Sequence, residues 1–471
     1  MFSFRYRRRV SPVALFALLG VVACAHPYER LRPSKGAPLS TAFDRFDEPA
    51  ADKAAPTPPS GSLGSYVAAA LAAHPTLRAR YHEWRAAAAE VAVARKLPEP
   101  TLTYGWFARS VETRVGPQNH RFSLGQSVPW PGVLRHAADA AAKRARAAER
   151  LFEAEALALQ ARVARAYWEL WRARRQRDIH RQHRDLLSEL GTAVRSRVEV
   201  GRASLADASQ VDLAVSRVDD LISALAAVEA QQSAALVAAV GLERDDAGLP
   251  TTSEPGAPGA PGLTRAELLA AAADHPAAKH LDWLASAAES AGHSARSRAL
   301  PALSVGFDYV QTGAAAAPAT PDDGKDALVL SAGLSIPLWR ASYAAAEKRE
   351  RQRAGAHRAR AAATRLDVRA HVDASLSRVI ESGRRVVHIE TTLSPQADAV
   401  YAAQVGSYAT GDANLATVLI AQQQVLELRV ARIEQRAAHE VAWAELQQFV
   451  GSAVVRAPVR DNPEGDDGRN R

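Results

Sequence analysis

"RFSLGQSVPWPGVLRHAADAA" runs from Arg121 to Ala141. Apolar and polar residues alternate to Val128, the chain meets Pro-Trp-Pro-Gly, and an Ala/Arg pattern of helical period follows. A period of two gives way to one of 3.6 within a few residues, so a strand feeds directly into a helix. The same switch occurs again in "LVLSAGLSIPLWRASYAAAE", Leu328 to Glu347. Proline suits both sides of it, since it ends strand pairing and fits the first turn of a helix.

Working outward from these two points, the whole chain repeats. A helical pattern over Leu63–Arg95 precedes strand-like runs at 101–108 and 121–128, and a helix from Val133 to about Val200 ends at Gly201. Another helix covers Leu205–Val240, and "RDDAGLPTTSEPGAPGAPG" (244–262) is too rich in Pro and Gly to be anything but a linker. A helix over Thr264–Ser297, strands at 302–310 and 327–336, a long helix from Ala341 to Gly411 and a last helix over Leu415–Val450 follow in the same order. His74-Pro75 recurs as His275-Pro276, Leu97-Pro98 as Leu300-Pro301, Gly201 as Gly411 and Gly241 as Gly451. The chain therefore divides into a first repeat over 63–243, a linker over 244–262, a second repeat over 263–451 and a polar tail over 452–471.

A helix over 133–200 is roughly 100 Å long at about 1.5 Å per residue, longer than an ordinary globular core. Val372, Val379, Val386 and Leu393 recur every seven residues, the spacing of helices that pack lengthwise. The two shorter helices of each repeat, laid end to end, match the long one. Their junction then falls halfway along, where the linker and tail sit as a belt.

The strands indicate what one end of this bundle touches. Leu102, Tyr104 and Trp106 share a face, as do Phe122, Leu124 and Val128; Leu303, Val305, Phe307 and Tyr309; and Leu328, Leu330, Ala332, Leu334 and Ile336. No charge falls on these faces, and the opposite faces are small and polar. Strands of about nine residues with one apolar face suit a transmembrane barrel. Four strands cannot close such a barrel, and an open edge in lipid leaves backbone groups unpaired. Three copies give twelve strands. The fold expected is mainly α with membrane β: two tandem helix–β-hairpin–helix repeats, a trimeric twelve-strand barrel and a long α-helical barrel beneath it. A soluble hairpin packed on the helices is the alternative, and it leaves the length of the helices unexplained.

Composition excludes other classes. The chain has 59 Lys and Arg against 51 Asp and Glu, with Arg spread along helices among acids, so no nucleic-acid stripe is formed. No uninterrupted apolar run of about 18 residues marks a transmembrane helix. Residues 1–23 read as a signal peptide, with a basic "FRYRRR" and an apolar "VALFALLGVVA". Val21-Val22-Ala23-Cys24 resembles a bacterial lipobox, and Cys24 is the only cysteine. That resemblance implies lipidation of Cys24, a tether over 24–62 and, with Ala25 following, an outer-membrane address.

Taken in order, "AAHP" and "ADHP", "KLPEPTL" and "RALPALS", "SVPW" and "SIPLW", and the turn glycines Gly201 and Gly411 resemble the TolC family of outer-membrane efflux proteins from about Leu63 to Gly451. The resemblance implies a homotrimer in outer-membrane lipid, with a periplasmic tunnel that docks to an adaptor (membrane fusion) protein and an inner-membrane pump. It implies a passive conduit for small molecules or metal ions, with no cofactor. "PEPTLTYGWF", "VETRVGPQN" and "PWPG" are similar to the branch that serves heavy-metal pumps. It also implies a gate at the helical turns, where Asp207, six after Gly201, would pair with Tyr408, three before Gly411. The acids that some members carry six and nine after the second glycine are Thr417 and Ile420 here, with Asp412 the nearest substitute.

His180 and His183 lie three apart on a helix but lack carboxylate or cysteine neighbours, so they read as structural. No phosphate loop, nucleophile–base–acid order or paired carboxylates in a strand–loop context supports an enzyme. The competing class is a lipid-anchored periplasmic adaptor or coiled-coil scaffold, which would carry one helical hairpin rather than two tandem repeats with amphipathic strands.

Overall fold

The computed structural model describes residues 59–242, 249–316, 321–451, 454 and 456–458. The first repeat contains α1 (Leu63–Ala73), α2 (Pro75–Arg95), β1 (Thr101–Trp106), β2 (Glu112–Thr113), β3 (Gly116–Val128), α3 (Pro131–Glu199) and α4 (Leu205–Val240). After β4 (Gly259–Pro261), the second contains α5 (Arg265–Ala272), α6 (Pro276–Ser297), β5 (Ala302–Thr312), β6 (Ala327–Ser335), α7 (Arg340–His388), α8 (Ser394–Thr410) and α9 (Leu415–Val450), with β7 (Arg456–Pro458) last.

The helices read as single over Leu63–Arg95 and Thr264–Ser297 are each two. Pro75 and Pro276 cannot donate a backbone N–H, so a new helix begins at each. The preceding histidine caps it: the His74 Nδ1 accepts from the Thr76 N–H at 3.2 Å, and the His275 Nδ1 accepts from Ala277 at 3.3 Å. Between α7 and α8 the long helix widens into a π turn, Ile389–Leu393, where the Ser394 N–H reaches back five residues to the Ile389 carbonyl. Pro395, which follows, has no N–H to offer Thr391, and its ring would crowd that carbonyl; the wider turn accommodates both demands.

α3 has 69 residues. It packs on α2 and α6 in the half nearest the sheet, and on α4 and α9 in the other. The first half uses small residues: Ala138, Ala141 and Ala145 on α3, and Ala285, Ala288 and Gly292 on α6, are buried. Around the middle of α3 the core turns aromatic. Tyr66, Phe152 and Tyr167 are fully sealed, with Trp84, Trp168 and Trp171 beside them. Each such ring buries roughly 150–250 Å², an upper bound of about 4–6 kcal/mol at ~25 cal/mol per Å².

The chain segments at either side of the repeats gather at this midpoint. Tyr167 donates its hydroxyl proton to the Gly61 carbonyl at 3.0 Å and accepts from the Ser253 N–H at 2.7 Å. Tyr66 donates to the Pro250 carbonyl, and Gly256 and Arg456 both donate to Glu440. β4 and β7 pair antiparallel beside them.

The larger sheet is antiparallel in the order β1-β3-β5-β6, with β2 as a short flap on β3. β1 and β6 are its free edges. The two hairpins are joined through β3 and β5 over ten register pairs, from Gln118–Thr312 to Val128–Leu303.

Among the described residues one helix, α4, is long and apolar enough by composition to cross a membrane, although Glu229 and several Gln and Ser residues interrupt its apolar run. It lies along α3 instead, with Leu205, Leu213 and Leu221 exposed on its open side. Apolar surface of that kind on a helix packed along one side has no partner within the described chain.

Candidate channel wall and gate

The register aligns the apolar side chains of all four strands into rows. Leu102, Leu124, Phe307 and Leu330 form one row, and Tyr104, Phe122, Tyr309 and Leu328 the next. Toward the helices come Val128, Leu303 and Leu334. Leu102, Tyr104, Trp106, Phe122, Leu303, Val305, Leu330 and Leu334 are all exposed, Leu330 at 85% and Leu102 at 70%. Leu124 and Phe307 are half-buried, because they stand on the two inner strands between flanking side chains. A largely apolar face of this extent has no partner within the protomer.

The same face carries Gln126, in the row with Val305 and Ala332. Its amide donates to the Pro98 carbonyl at 2.9 Å and to the Ser127 carbonyl at 2.7 Å, so its donors are satisfied beside the helical end of the sheet. On the opposite face Arg121 donates twice to Asp308, at 2.7 and 3.0 Å, and the Ser123 hydroxyl donates to the same oxygen. One face is apolar and the other polar.

At the far end of the helices, α3 turns into α4 and α8 into α9 through matching loops. Gly201 and Gly411 adopt φ of +73° and +92°, the left-handed region that favours glycine. Ser204 then starts α4 with a capping box: its hydroxyl accepts from the Asp207 N–H at 3.1 Å, while the Asp207 carboxylate accepts from the Ser204 N–H at 2.9 Å and its hydroxyl at 2.8 Å. Asn414 starts α9 by accepting from the Thr417 N–H at 3.0 Å, and the Thr417 hydroxyl donates to the Asn414 carbonyl at 2.8 Å. Asp412 accepts from the Thr410 hydroxyl at 2.7 Å.

The expected hydrogen bond between Asp207 and Tyr408 is therefore not formed within the protomer. The Asp207 carboxylate is held by its own helix start, and the Tyr408 hydroxyl is buried with no hydrogen-bond partner. A different pair joins the repeats. Arg197, in the last turn of α3, lays its guanidinium 4.5 Å from the Tyr408 ring centre and donates to the Tyr408 carbonyl at 3.0 Å. That carbonyl is near the C-terminal end of α8, where helix carbonyls run out of intrahelical donors. Beneath the pair, Val194, Ala208, Val211 and Leu415 form a small buried core linking α3, α4 and α9. Arg197 is the residue that sequence reasoning missed; a basic side chain four before a turn glycine is its only sequence signal.

His183 is half-buried, and burial, reinforced by the nearby His180 and Arg429, pushes its pKa down to about 4. Burial lowers His180 as well. Both are neutral at ordinary pH. Among the described residues no group of three or more His, Cys, Asp or Glu could hold a metal ion. Cys24 lies outside the described residues.

Residues 67–242 match the profile of the outer membrane efflux protein family. No curated protein matches the sequence. Among solved structures, the outer membrane protein VceC of Vibrio cholerae is 18% identical with a TM-score of 0.67, over 83% of this chain and 96% of that one. The CmeC outer membrane channel of Campylobacter jejuni is 14% identical with a TM-score of 0.66, over 83% and 85%. CusC is 16% identical with a TM-score of 0.62, over 83% and 92%. At these identities the likeness is one of fold. The first repeat is thus matched directly by the outer membrane efflux protein family, and the second repeat is built to the same plan.

Proposed function

We propose that this protein is the outer-membrane channel of a tripartite efflux pump, a passive trimeric conduit from the periplasm to the exterior. The observation that carries the reading is the four-stranded sheet, apolar on one face, polar on the other and unpaired at both edges, at the end of helices about 100 Å long. Pairing β1 of one protomer with β6 of the next would close twelve strands and leave no edge in lipid. The exposed leucines of α4 would then meet the next protomer's second repeat, so that twelve helices continue the wall below the membrane. A tunnel of that length implies docking to a periplasmic adaptor and an inner-membrane pump.

The tips at Gly201 and Gly411 would form the gate, held closed by Arg197 on Tyr408 in each protomer, while Asp207 and Thr417 shape the turns. Lipidation at Cys24 would add an anchor beside the barrel. For cargo, the strand-loop motifs keep the heavy-metal pumps as one reading, and CusC, a neighbour in fold alone, does not narrow it. The test is direct: the protein should fractionate with the outer membrane as a trimer that dissociates on heating, and a soluble monomer would contradict the reading.

A further inference from the structure

In the half of the molecule nearest the sheet, α2, α3, α6 and α7 lie side by side in that order. α2 and α7 are the outer helices of the row, yet both line one cavity of about 660 Å³ together with α3 and α6. A groove that both outer helices rim, floored by the two inner ones, is the concave side of a curved row. When such rows close into a ring, the concave side is the inside. The cavity lies at the first turns of α3 and α7, beside Val133 and Tyr343, immediately below the strands.

Its charged lining is lopsided. Lys96, Arg144, Arg298, Arg349 and Arg353 face it, against Glu90 and Glu350. Glu350 is buried and already accepts from Arg349 at 2.8 Å and from Arg353 at 2.9 Å. Arg144 on α3 and Arg298 at the end of α6 have no ion-pair partner among the described residues, and both are exposed. They stand on the inner helices of the row, away from the edges where a neighbouring protomer would supply counter-charges. Lys96 is paired with Glu99, so each protomer adds a net of two positive charges to the lining, and three protomers would set them in a ring. Clefts lined by one sign of charge focus the field and concentrate counter-ions, and guanidinium groups match the planar oxygens of carboxylates and phosphates. A volume of this size admits a small organic molecule.

We infer that this chamber is a transit site for anionic cargo, small molecules bearing carboxylate or phosphate groups, with Arg144 and Arg298 as the groups that engage them. The inference rests on the channel reading above and names its cargo class. It runs against a metal cation as cargo, since the same ring would repel one.

The test uses the purified full-length trimer in a planar bilayer, with citrate and inorganic pyrophosphate as probes added to potassium chloride. Both should reduce the chloride-carried current at millimolar concentration, and the Arg144→Glu, Arg298→Glu double variant should need at least tenfold more of each for the same block. Block by citrate alone would assign the chamber to carboxylates, and block by pyrophosphate alone to phosphates. If the charge reversal prevents trimer assembly, Arg144→Gln, Arg298→Gln serves instead, with at least a threefold rise expected. Block that is equal in wild type and variant, or absent from a conducting wild type, overturns the inference. A protein that forms trimers but conducts nothing overturns the channel reading itself, so the two failures are distinguishable.

Discussion

Replacing Arg197 with Ala removes, in each protomer, one contact over the Tyr408 ring and one charge-assisted hydrogen bond to the Tyr408 carbonyl. The ring contact is worth roughly 0.5–1 kcal/mol at a partly exposed site, and the hydrogen bond about 1.5–3 kcal/mol. Because Arg197 is only half-buried, the lower ends apply. Their sum, about 2 kcal/mol, shifts the balance between docked and released tips about thirtyfold per protomer. The assay is single-channel conductance of the purified trimer, paired with uptake of a large antibiotic by cells that make the variant. Arg197→Ala should raise both without reducing trimer yield, and Arg197→Lys should fall between it and wild type, since a lysine keeps the charge but not the planar fork. Tyr408→Phe sharpens the test, because the hydroxyl it deletes has no partner and is buried. Losing an unsatisfied group costs nothing and relieves its desolvation, so this variant should stay as tight as wild type. Leakage from Tyr408→Phe with a tight Arg197→Ala would refute the reasoning and return the gate to a bond made by the phenol.

Leu124→Arg or Val305→Arg puts a charge on the apolar face, at about 2–4 kcal/mol near mid-membrane; both should abolish heat-modifiable trimers, and normal trimer yield would place that face away from lipid. Tyr167→Phe breaks the hydrogen bonds through which the Tyr167 hydroxyl ties Gly61 and Ser253 to α3; it should cost about 1–3 kcal/mol and expose the linker to limited proteolysis, with unchanged digestion counting against the belt. His183 titrates near 4 when folded against 6.5 ordinarily, and burial holds His180, His275 and His439 low as well. Between those values the unfolded chain binds protons that the folded one does not, so stability falls as pH drops from 6.5 toward 4. The melting temperature should be lower at pH 5 than at pH 7.5, with a shallower fall in His183→Gln. Cys24→Ser should abolish labelling by radioactive palmitate, and persistent labelling would remove the lipid anchor from the proposal.

Long periodic elements were legible in the sequence because periodicity over dozens of residues averages out local exceptions. α4 and α9 begin and end at the residues their patterns mark, each flanked by a turn glycine. Breaks that depend on a single residue were harder to read. His74-Pro75 and His275-Pro276 were visible as repeated motifs, but their role as a capping imidazole and a first-turn proline appears only once the backbone turns there. The π turn before Pro395 was hidden because the heptad of Val372, Val379, Val386 and Leu393 runs straight through it. Alternation identified the apolar strand faces, while the adjacency of β3 and β5, which joins the two repeats into one sheet, is a long-range pairing that no local pattern encodes. At the proposed gate, spacing from the glycines located Asp207 and Tyr408, but not their partners. Asp207 had a competing use three residues from Ser204, and a local cap outcompetes a distant phenol because it orders almost no extra chain.

The central claim, that four strands per protomer become a closed membrane wall continuous with a helical tunnel, is tested most directly by electron microscopy of the detergent-solubilised full-length protein. A threefold particle is expected, with twelve strands closed by β1 of one protomer against β6 of the next and a hollow helical cylinder about 100 Å long beneath it. A monomer whose strands fold back onto its own helices, or an assembly in which β1 and β6 remain unpaired, would contradict it.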